Sequence, residues 1–237
     1  MKIHDFDIKK GIYSFEFNEL NAESHSHPVV EIISTTDGTF SIQSNGQIDE
    51  NLEFAIIDSN TEHKVFSKNS SIRILMIESH NLRLTDFFEN NGLKYKNGIF
   101  SKTNFDKKNE LFSEVKNLAR AIDLKTPTDK RITESIKFIE ENELEYKNLI
   151  SELTSKVSLS NSRLSHLFKE HIGISIKKYL VWNRLRQAIN TYLSENTNLT
   201  DVSLQSGFFD QAHLTNSFKN VLGVSPTKAY NSRILQS

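Results

Sequence analysis

Three histidines and one glutamate near the N-terminus have residue types and spacing that could do chemistry. His25 and His27 are two positions apart, Glu31 follows, and His63 lies further along the chain. Alternate side chains of a β-strand share one face, so the first two histidines would point the same way. Imidazole and carboxylate groups are ligands that zinc and iron accept. The pattern therefore allows three imidazoles and a carboxylate to converge inside a barrel.

The stretches around these residues predict a β-rich N-terminal region. Four of them are short, rich in Ile, Val and Phe, and broken by Gly, Asn, Asp and Ser, as is typical of strands in a sandwich or barrel. They span residues 11–17, 29–46, 54–66 and 71–79. We expect the histidines and the glutamate to be positioned by this set of strands.

Two helical patterns follow the predicted strands, at residues 82–93 and 109–124. The second has apolar residues at helical spacing, which predicts a helix with one apolar face. Its stripe consists of Leu111, Val115, Leu118, Ala119 and Ile122. This face could pack on the sheet or on a second copy of the chain, so the helix is a candidate homodimer interface.

Composition and charge narrow the class of protein. Of 237 residues, 37% are hydrophobic, 25% are charged and none is Cys, which is typical of a globular protein and excludes thiol chemistry. No apolar run is long enough to span a bilayer, and the first residues lack the apolar core of a secretory signal. We therefore expect a cytoplasmic protein with no membrane partner.

The charges are distributed unevenly along the chain. Residues 1–125 contain 15 basic and 19 acidic residues, whereas residues 126–237 contain 14 and 11. A mildly basic C-terminal half is compatible with a polyanionic partner. Ordinary surface charge would explain the same numbers equally well. Nonspecific DNA packaging is disfavoured, because binding without base recognition relies on many phosphate contacts.

A polar linker separates the strands from an all-helical C-terminal region. Thr126 precedes a proline, which disfavours helix at this point. Six helical patterns follow, most of them with Ser, Thr or Asp placed to cap the N-terminus. The predicted organisation is a sensor and dimerisation domain at 1–123, a linker at 124–130 and a helical domain at 131–237.

The helical region contains an internal repeat with an offset of fifty residues. Leu164 aligns with Leu214, Phe168 with Phe218, and three further positions are identical. Each copy has a short helix, a tight turn and a second helix, which predicts two helix-turn-helix units at about 150–171 and 200–221. A plain helical bundle is the alternative, since a Leu/Phe stripe is often only core.

In each predicted helix-turn-helix unit, the outward face of the second helix favours nucleic-acid binding over a plain helical bundle. These outward faces carry hydrogen-bond donors suited to base edges and phosphates, with little acidic charge. The fourth helical pattern after the linker spans residues 175–195. With about 19 helical residues at roughly 1.5 Å each, this helix could hold the two polar faces about one DNA turn apart. Its residues Lys177, Lys178, Arg184 and Arg186 are predicted to contact phosphates or form salt bridges. The predicted DNA-contacting residues are Ser162, Arg163, Ser165, His166 and Lys169 in the first unit, and Gln211, His213, Thr215, Asn216 and Lys219 in the second.

Two quoted segments carry a resemblance to a known family. LSNSRLSHLFKEHIGISIKKYLVWNRLRQA and DVSLQSGFFDQAHLTNSFKNVLGVSP resemble the DNA-binding domain of AraC/XylS-type bacterial transcription regulators. The resemblance covers residues 131 to about 233 and adds Ala212 to the predicted base-facing residues. It implies double-stranded DNA, a small-molecule effector and RNA polymerase as partners of a homodimeric, non-enzymatic regulator.

A second resemblance concerns the histidines. HSHPVVEIISTTDG is similar to the first motif of cupins, whose metal ligands occupy such positions. The second cupin motif is altered, with Asp58 and Asn60 where Pro and Gly are usual. AraC-type regulators often keep this histidine pattern in a cupin-like sensor domain without a catalytic metal, so a structural or ligand-contacting role is favoured over a metal and no cofactor is expected. A cupin metalloenzyme with an accessory helical domain is the alternative function.

The fold class expected from the two resemblances is α+β. It combines an N-terminal cupin-like β-barrel with short helices and a C-terminal all-α domain of two helix-turn-helix units joined by a long helix. His25, His27, Glu31 and His63 are the candidate ligand pocket.

Overall fold

A computed structural model of the chain describes residues 1–80, 84–90, 92–142, 146–195 and 197–227, with backbone alone for 85–87. The chain divides into two compact units. The first joins Met1–Lys125 with Phe218–Ser237, and the second is Thr126–Ser217. The division at Lys125 falls within the predicted linker, while the predicted domain boundaries themselves stay a prediction.

Among the described residues, ten β-strands build the N-terminal part of the first unit as two antiparallel sheets. A six-stranded sheet has the order β1-β2-β9-β4-β7-β10, and a four-stranded sheet has the order β3-β8-β5-β6. The strands are β1 (Lys2–Asp7), β2 (Ile12–Phe17), β3 (Leu20–Asn21), β4 (Val30–Thr35), β5 (Phe40–Ser44), β6 (Gln47–Leu52), β7 (Phe54–Ile57), β8 (Lys64–Ser67), β9 (Ile72–Ile77) and β10 (Ile99–Lys102).

The central strand β4 separates the apolar core from the histidine-bearing side of its sheet. All six of its residues are buried, because it pairs with β9 on one side and β7 on the other. Val30 and Ile32 belong to the core that the helix at residues 108–121 covers. Since side chains alternate along a strand, Glu31 points to the opposite face. The sheet thus places this carboxyl group inside the unit and away from that helix.

Two helices, α1 (Leu84–Asn90) and α2 (Lys108–Ala121), accompany the strands. The predicted stripe of α2 is partly wrong. Phe112, Val115 and Ala119 form its buried face, because Phe112 continues the helical spacing of the other two. Ile122 lies past the end of the helix and is 44% exposed. The remaining stripe residues, Leu111 and Leu118, are half-buried.

The C-terminal helices agree with the six predicted patterns. They are α3 (Lys130–Glu141), α4 (Tyr146–Val157), α5 (Asn161–Ile172), α6 (Ile176–Ser194), α7 (Leu199–Gln205) and α8 (Gln211–Leu222). Polar side chains cap several of them. Asp129 accepts from Arg131 N at α3, Ser175 from Lys178 N at α6, and Asn198 from Thr200 N and Asp201 N at α7. These caps satisfy backbone N–H groups that a helix N-terminus leaves without partners.

The mixed α+β class is confirmed, with antiparallel sheets before the linker and helices after it. The likeness to cupins in particular stays a prediction. Residues 228–237 of the predicted helical domain, and residues 82, 83 and 91 of the predicted first helix, lie outside the described residues. Within the described part of the chain, no helix is both long enough and apolar enough to cross a membrane.

Candidate nucleic-acid interface and histidine cluster

Helix α5 has one buried face and one exposed polar face. Ser160 caps its first turn, accepting a hydrogen bond from Arg163 N at 3.3 Å. Leu164, Leu167 and Phe168 are at most 4% exposed, as the repeat predicted. The five predicted contact residues are all exposed: Ser162, Arg163, Ser165, His166 and Lys169. The helix thus presents the polar surface expected of a recognition helix.

Helix α8 repeats this arrangement with different side chains. Asp210 caps it, accepting from His213 N at 2.7 Å. Among its predicted contact residues, Gln211, Ala212, His213 and Asn216 are exposed, whereas Thr215 and Lys219 are half-buried. Thr200 Oγ1 donates to Gln211 Oε1 at 2.9 Å, so α7 fixes the orientation of that amide.

The sequence interpretation missed an aromatic residue beside α8. Phe209 lies in the turn before the helix and is 85% exposed. Its neighbour Phe208 is 4% exposed and packs edge-on against the His213 ring. Two adjacent Phe residues stand in this turn, and only one of the two rings points into the core. The double Phe was the signal that one ring would be left at the surface.

The turns of the two units have the same backbone geometry. Ser158 and Gly207 both have positive φ, 53° and 74°. Leu159 N donates to Thr154 O at 3.2 Å in the first turn, and Phe208 N donates to Ser203 O at 2.9 Å in the second. Each of these hydrogen bonds joins residues five positions apart. Bonds of this kind close the end of a helix around a residue with left-handed backbone. The first helix-turn-helix unit therefore keeps this backbone geometry with a serine at the position where the second helix-turn-helix unit has a glycine.

Replacing Ser158 with glycine is expected to raise the free energy of unfolding by about 1 kcal/mol, because left-handed backbone costs a residue with a Cβ atom about that much. Gly207→Ser is expected to lower it by a similar amount. Urea unfolding followed by circular dichroism measures both. As a control, Ser155→Gly inside α4 should destabilise by about 0.5 kcal/mol. A Ser158→Gly protein no more stable than the parent would contradict the expectation.

Helix α6 joins the two helix-turn-helix units, and buried side chains anchor it along its length. The residues predicted to hold it are at most 6% exposed: Ile176, Tyr179, Leu180, Leu185 and Ile189. Of the four basic residues predicted to remain available on α6, Lys177 and Lys178 are exposed and Arg184 is half-buried.

Of the two roles predicted for Arg186, the salt bridge is confirmed and the phosphate contact is wrong, since the side chain pairs with Glu140 and is 0% exposed. Its Nη2 donates to Asn183 Oδ1 at 2.8 Å and to Glu140 Oε1 at 3.1 Å. The Tyr179 hydroxyl donates to the same Glu140 oxygen at 3.1 Å. A guanidinium inside a helical bundle needs these partners, because an unpaired buried charge is very costly. Arg186 therefore ties α6 to α3 and cannot reach a phosphate.

The four residues of the predicted pocket do converge. His25, His27, Glu31 and His63 are each at most 6% exposed, and one ligand atom from each lies within 4.8 Å of the others. Glu31 sits in β4 and His63 directly precedes β8. A pair of backbone hydrogen bonds, 2.9 and 3.0 Å long, joins His25 to His63. We call these four residues the histidine cluster.

The histidines of this cluster are oriented by backbone carbonyl groups. Nδ1 of His25 lies 2.8 Å from Glu23 O, Nδ1 of His27 lies 3.0 Å from Val29 O, and Nδ1 of His63 lies 2.9 Å from the Thr61 carbonyl. A carbonyl oxygen only accepts hydrogen bonds, so each Nδ1 must carry its proton. The Nε2 atoms of His27 and His63 lie 3.1 and 3.0 Å from Glu31 Oε2.

Electrostatics inside the histidine cluster are strongly perturbed. Burial, together with the neighbouring His63 and His27, lowers the pKa of His25 to about 3. Burial alone would raise the pKa of Glu31, but hydrogen bonds and charge from His27 and His63 outweigh it, so the pKa falls. Burial likewise opposes the charged form of His63, yet the Glu31 carboxylate raises its pKa. The cluster therefore holds an ionised carboxylate deep inside the unit.

The histidine cluster also packs against a residue from the far end of the chain within the same compact unit. Gly223 has a φ of 69°, and a Cβ atom there would lie 2.6 Å from His25 Nδ1. Glu23 N donates to Gly223 O at 2.7 Å. A side chain at Gly223 would therefore collide with the His25 ring.

A separate cavity of about 460 Å³ lies beside α2. Its volume falls in the range of small-molecule sites, and aromatic and aliphatic side chains make up much of its wall. These apolar residues are Phe88, Leu93, Phe105, Leu111, Val115 and Leu118. Leu111 and Leu118, the half-buried members of the predicted stripe, thus face this cavity.

Comparison with known proteins bears mainly on the helical region. Residues 153–232 match a family model described as a helix-turn-helix domain. The arabinose operon regulatory protein of Escherichia coli (strain K12) is 31% identical over 105 residues, which are 44% of this chain and 36% of that protein. The Msm operon regulatory protein of Streptococcus mutans is 33% identical over 81 residues, 33% of this chain and 28% of that protein. The matched stretch thus spans about a third of the length of these relatives.

A comparison of folds extends over most of the chain. ToxT from Vibrio cholerae O395 superposes with a TM-score of 0.56 at 12% identity, covering 93% of this chain and 97% of that one. At this identity the likeness shows the fold alone. The matching family model, the relatives and the paired helix-turn-helix geometry agree on one assignment for the C-terminal part. Residues 153–232 match a helix-turn-helix domain, and the relatives reported above are operon regulatory proteins.

Proposed function

We propose that the chain is a sequence-specific, DNA-binding transcription regulator. One observation carries the proposal: two successive helix-turn-helix units, joined by the 19-residue helix α6, each present an exposed polar face beside a buried Leu/Phe stripe. The exposed side chains offer donors for base edges and phosphates. The matched relatives are operon regulatory proteins, which supports the same function here.

Control by a small molecule is the second part of the proposal. ToxT, which shares the fold, has been crystallised with an unsaturated fatty acid. In this chain the cavity beside α2 offers the volume and the apolar wall that such an effector needs. The effector would act by binding one conformation more tightly than another. A homodimer formed through α2, contact with RNA polymerase and a bacterial cytoplasmic location complete the proposal.

The direct test is selection of bound DNA from a random pool with the full chain. A regulator of this type should enrich one motif with two half-sites about one helical turn apart, because two recognition helices enter successive major grooves. Recovery of unrelated sequences, with no motif after repeated rounds, would contradict sequence-specific binding.

His166→Ala is expected to weaken binding to the selected site by about 1–3 kcal/mol, roughly 5- to 150-fold, with little effect on random DNA. Lys169→Ala should weaken binding to both DNAs alike and reduce the salt dependence, because a phosphate contact carries no base information. Fluorescence anisotropy at several salt concentrations measures both. Lys137→Ala is the matched control, since this lysine is 73% exposed on α3 and pairs with Glu141. Equal losses on both DNAs for His166→Ala would remove its base-reading role.

A metalloenzyme is the alternative function, and the histidine cluster is the observation that favours it. We assign no catalytic residue, because the described cluster residues are at most 6% exposed, so a substrate would have little access to them. The relatives found by comparison are regulators, which supports a non-enzymatic protein.

A further inference from the structure

We propose that Phe209 reads a thymine in the DNA site, by packing its ring against the C5-methyl group that this base presents in the major groove. Phe209 lies in the turn before α8, and its side chain is 85% exposed. The inference rests on the proposed function, because it names one base contact of the same DNA interface.

Phe209 is the residue by which the turn of the second helix-turn-helix unit is longer than the turn of the first. Leu159 and Phe208 are equivalent, since each donates its backbone N–H to the carbonyl five residues earlier. Ser160 and Asp210 are also equivalent, since each caps the helix that follows. Leu159 directly precedes its cap, whereas Phe209 stands between Phe208 and Asp210. The first helix-turn-helix unit therefore has no side chain at the position that Phe209 occupies.

The ring of Phe209 does not take the usual packing role of an apolar residue at this position. An apolar residue just before a helix cap often packs on the fourth residue of the helix, which is Leu214 here and is only 2% exposed. Phe208, at 4% exposed, fills the space inside the turn instead. Single exposed apolar side chains are common on protein surfaces. The position of the Phe209 ring, rather than its exposure, therefore carries the argument.

That position is the N-terminal end of the helix that would enter the major groove. When a helix-turn-helix unit docks on DNA, the first residues of its second helix contact the base edges. Gln211 and Ala212, the first two residues of α8, are both exposed. Phe209 lies two residues before Gln211. We therefore expect its ring to reach the edge of the bases that α8 reads.

The chemistry of a phenyl ring selects the base. The ring of Phe209 has neither a hydrogen-bond donor nor an acceptor, so it cannot form a hydrogen bond with a base edge or a phosphate. The C5-methyl of thymine is an apolar group in the major groove, and Phe is among the side chains that contact it. Because contact removes apolar surface of both groups from water, it favours thymine over a base without that methyl.

The backbone that carries this ring is held in place by two hydrogen bonds. Phe209 N donates to His213 Nδ1 at 3.4 Å, and His213 N donates to Asp210 Oδ1 at 2.7 Å. The pair resembles a capping box, in which the cap and the third helical residue satisfy each other's N–H groups. A contact that is ordered before binding loses less conformational freedom when the complex forms.

The test replaces each thymine of the selected DNA site, one at a time, with deoxyuridine, which lacks only the C5-methyl group. Anisotropy with the full chain is expected to show a position in one half-site where the parent loses about three- to fivefold in affinity, the effect of burying one carbon group. Phe209→Ala should bind the unmodified site about 5- to 20-fold more weakly and should no longer distinguish thymine from deoxyuridine at that position. Leu204→Ala is the matched control, since this apolar residue of α7 is 58% exposed in the same helix-turn-helix unit. It should bind both DNAs like the parent.

Because the Phe209 ring is exposed, the alanine variant should keep native circular dichroism and the urea midpoint of the parent. Weaker binding by this variant, with the thymine and deoxyuridine difference unchanged at every position, would overturn the methyl contact. Unchanged affinity would overturn any DNA contact by the ring, and reduced transcription at unchanged affinity would assign the ring to a protein partner instead. Either result with a selected motif in hand leaves sequence-specific binding intact. Failure to select any motif would contradict the proposed function itself.

Discussion

Arg186→Ala is expected to lower the free energy of unfolding of the helical unit by about 3–5 kcal/mol, the usual cost of breaking a buried ion pair. The arginine side chain is 0% exposed, and Glu140, its partner at 3.1 Å, is 25% exposed. Its removal leaves the carboxylate without that cation, takes a donor from Asn183 and opens a cavity beside Tyr179. Urea unfolding followed by circular dichroism measures the loss.

Two further variants separate this structural role from a phosphate contact. Lys178→Ala changes an exposed basic residue of the same helix and should alter stability by less than about 0.5 kcal/mol. The double variant Glu140→Gln with Arg186→Met should recover much of the stability, because it removes both charges and fills the space. If Arg186→Ala were to weaken DNA binding and its salt dependence without lowering stability, the structural role would be refuted.

Arg186 also illustrates what the sequence could predict. The helical spacing of apolar residues located α3 to α8 and their buried faces, because that spacing reflects the helix geometry itself. Asn183 and Tyr179, three and seven positions before Arg186, lie on the same face of α6 as the arginine. That spacing was a signal for a buried polar network, but only the position of Glu140 on α3 shows that the face is turned inward.

The N-terminal strands were predicted less completely than the helices. The apolar strands around β2, β4, β7 and β9 were recognised, whereas β1, β3, β6 and β10 were not. β6 reads QIDENL and is exposed except for its last residue, so it lacks the apolar alternation that identifies a strand. Such a strand forms because β5 supplies its hydrogen-bonding partners, and that partnership is not written in its own residues.

For the histidine cluster, residue types and convergence were predictable and orientation was not. His25 and His27 were expected on one strand face, but the structure has them in the segment between β3 and β4. An isolated backbone bridge to His63 brings His25 into place. The carbonyl groups that fix the three tautomers belong to Glu23, Val29 and Thr61. Backbone groups of this kind leave no trace in side-chain patterns, so the sequence could not predict which nitrogen of each ring faces the centre of the cluster.

Phe168→Ala is expected to lower the free energy of unfolding by about 3–5 kcal/mol, the usual cost of deleting a buried aromatic side chain. The ring is 0% exposed and packs edge-on against Tyr179 of α6, with centroids 5.5 Å apart. Phe168→Leu keeps most of the volume and should cost about 1–1.5 kcal/mol. Because Phe168 orients α5, the alanine variant should also lose its preference for the selected DNA, measured by anisotropy at a temperature where it is still folded.

The Phe168 and Arg186 effects should not be additive, because both side chains contact Tyr179. Phe168 packs on the ring, and Arg186 Nη2 lies 3.4 Å from the hydroxyl. Once either partner is removed, Tyr179 can relax, so the second substitution should cost less than it does alone. A double-mutant cycle in urea is expected to give a coupling of about 0.5–3 kcal/mol, as for residues that share a partner. Strict additivity would mean that Tyr179 does not link α5 to the buried pair between α3 and α6.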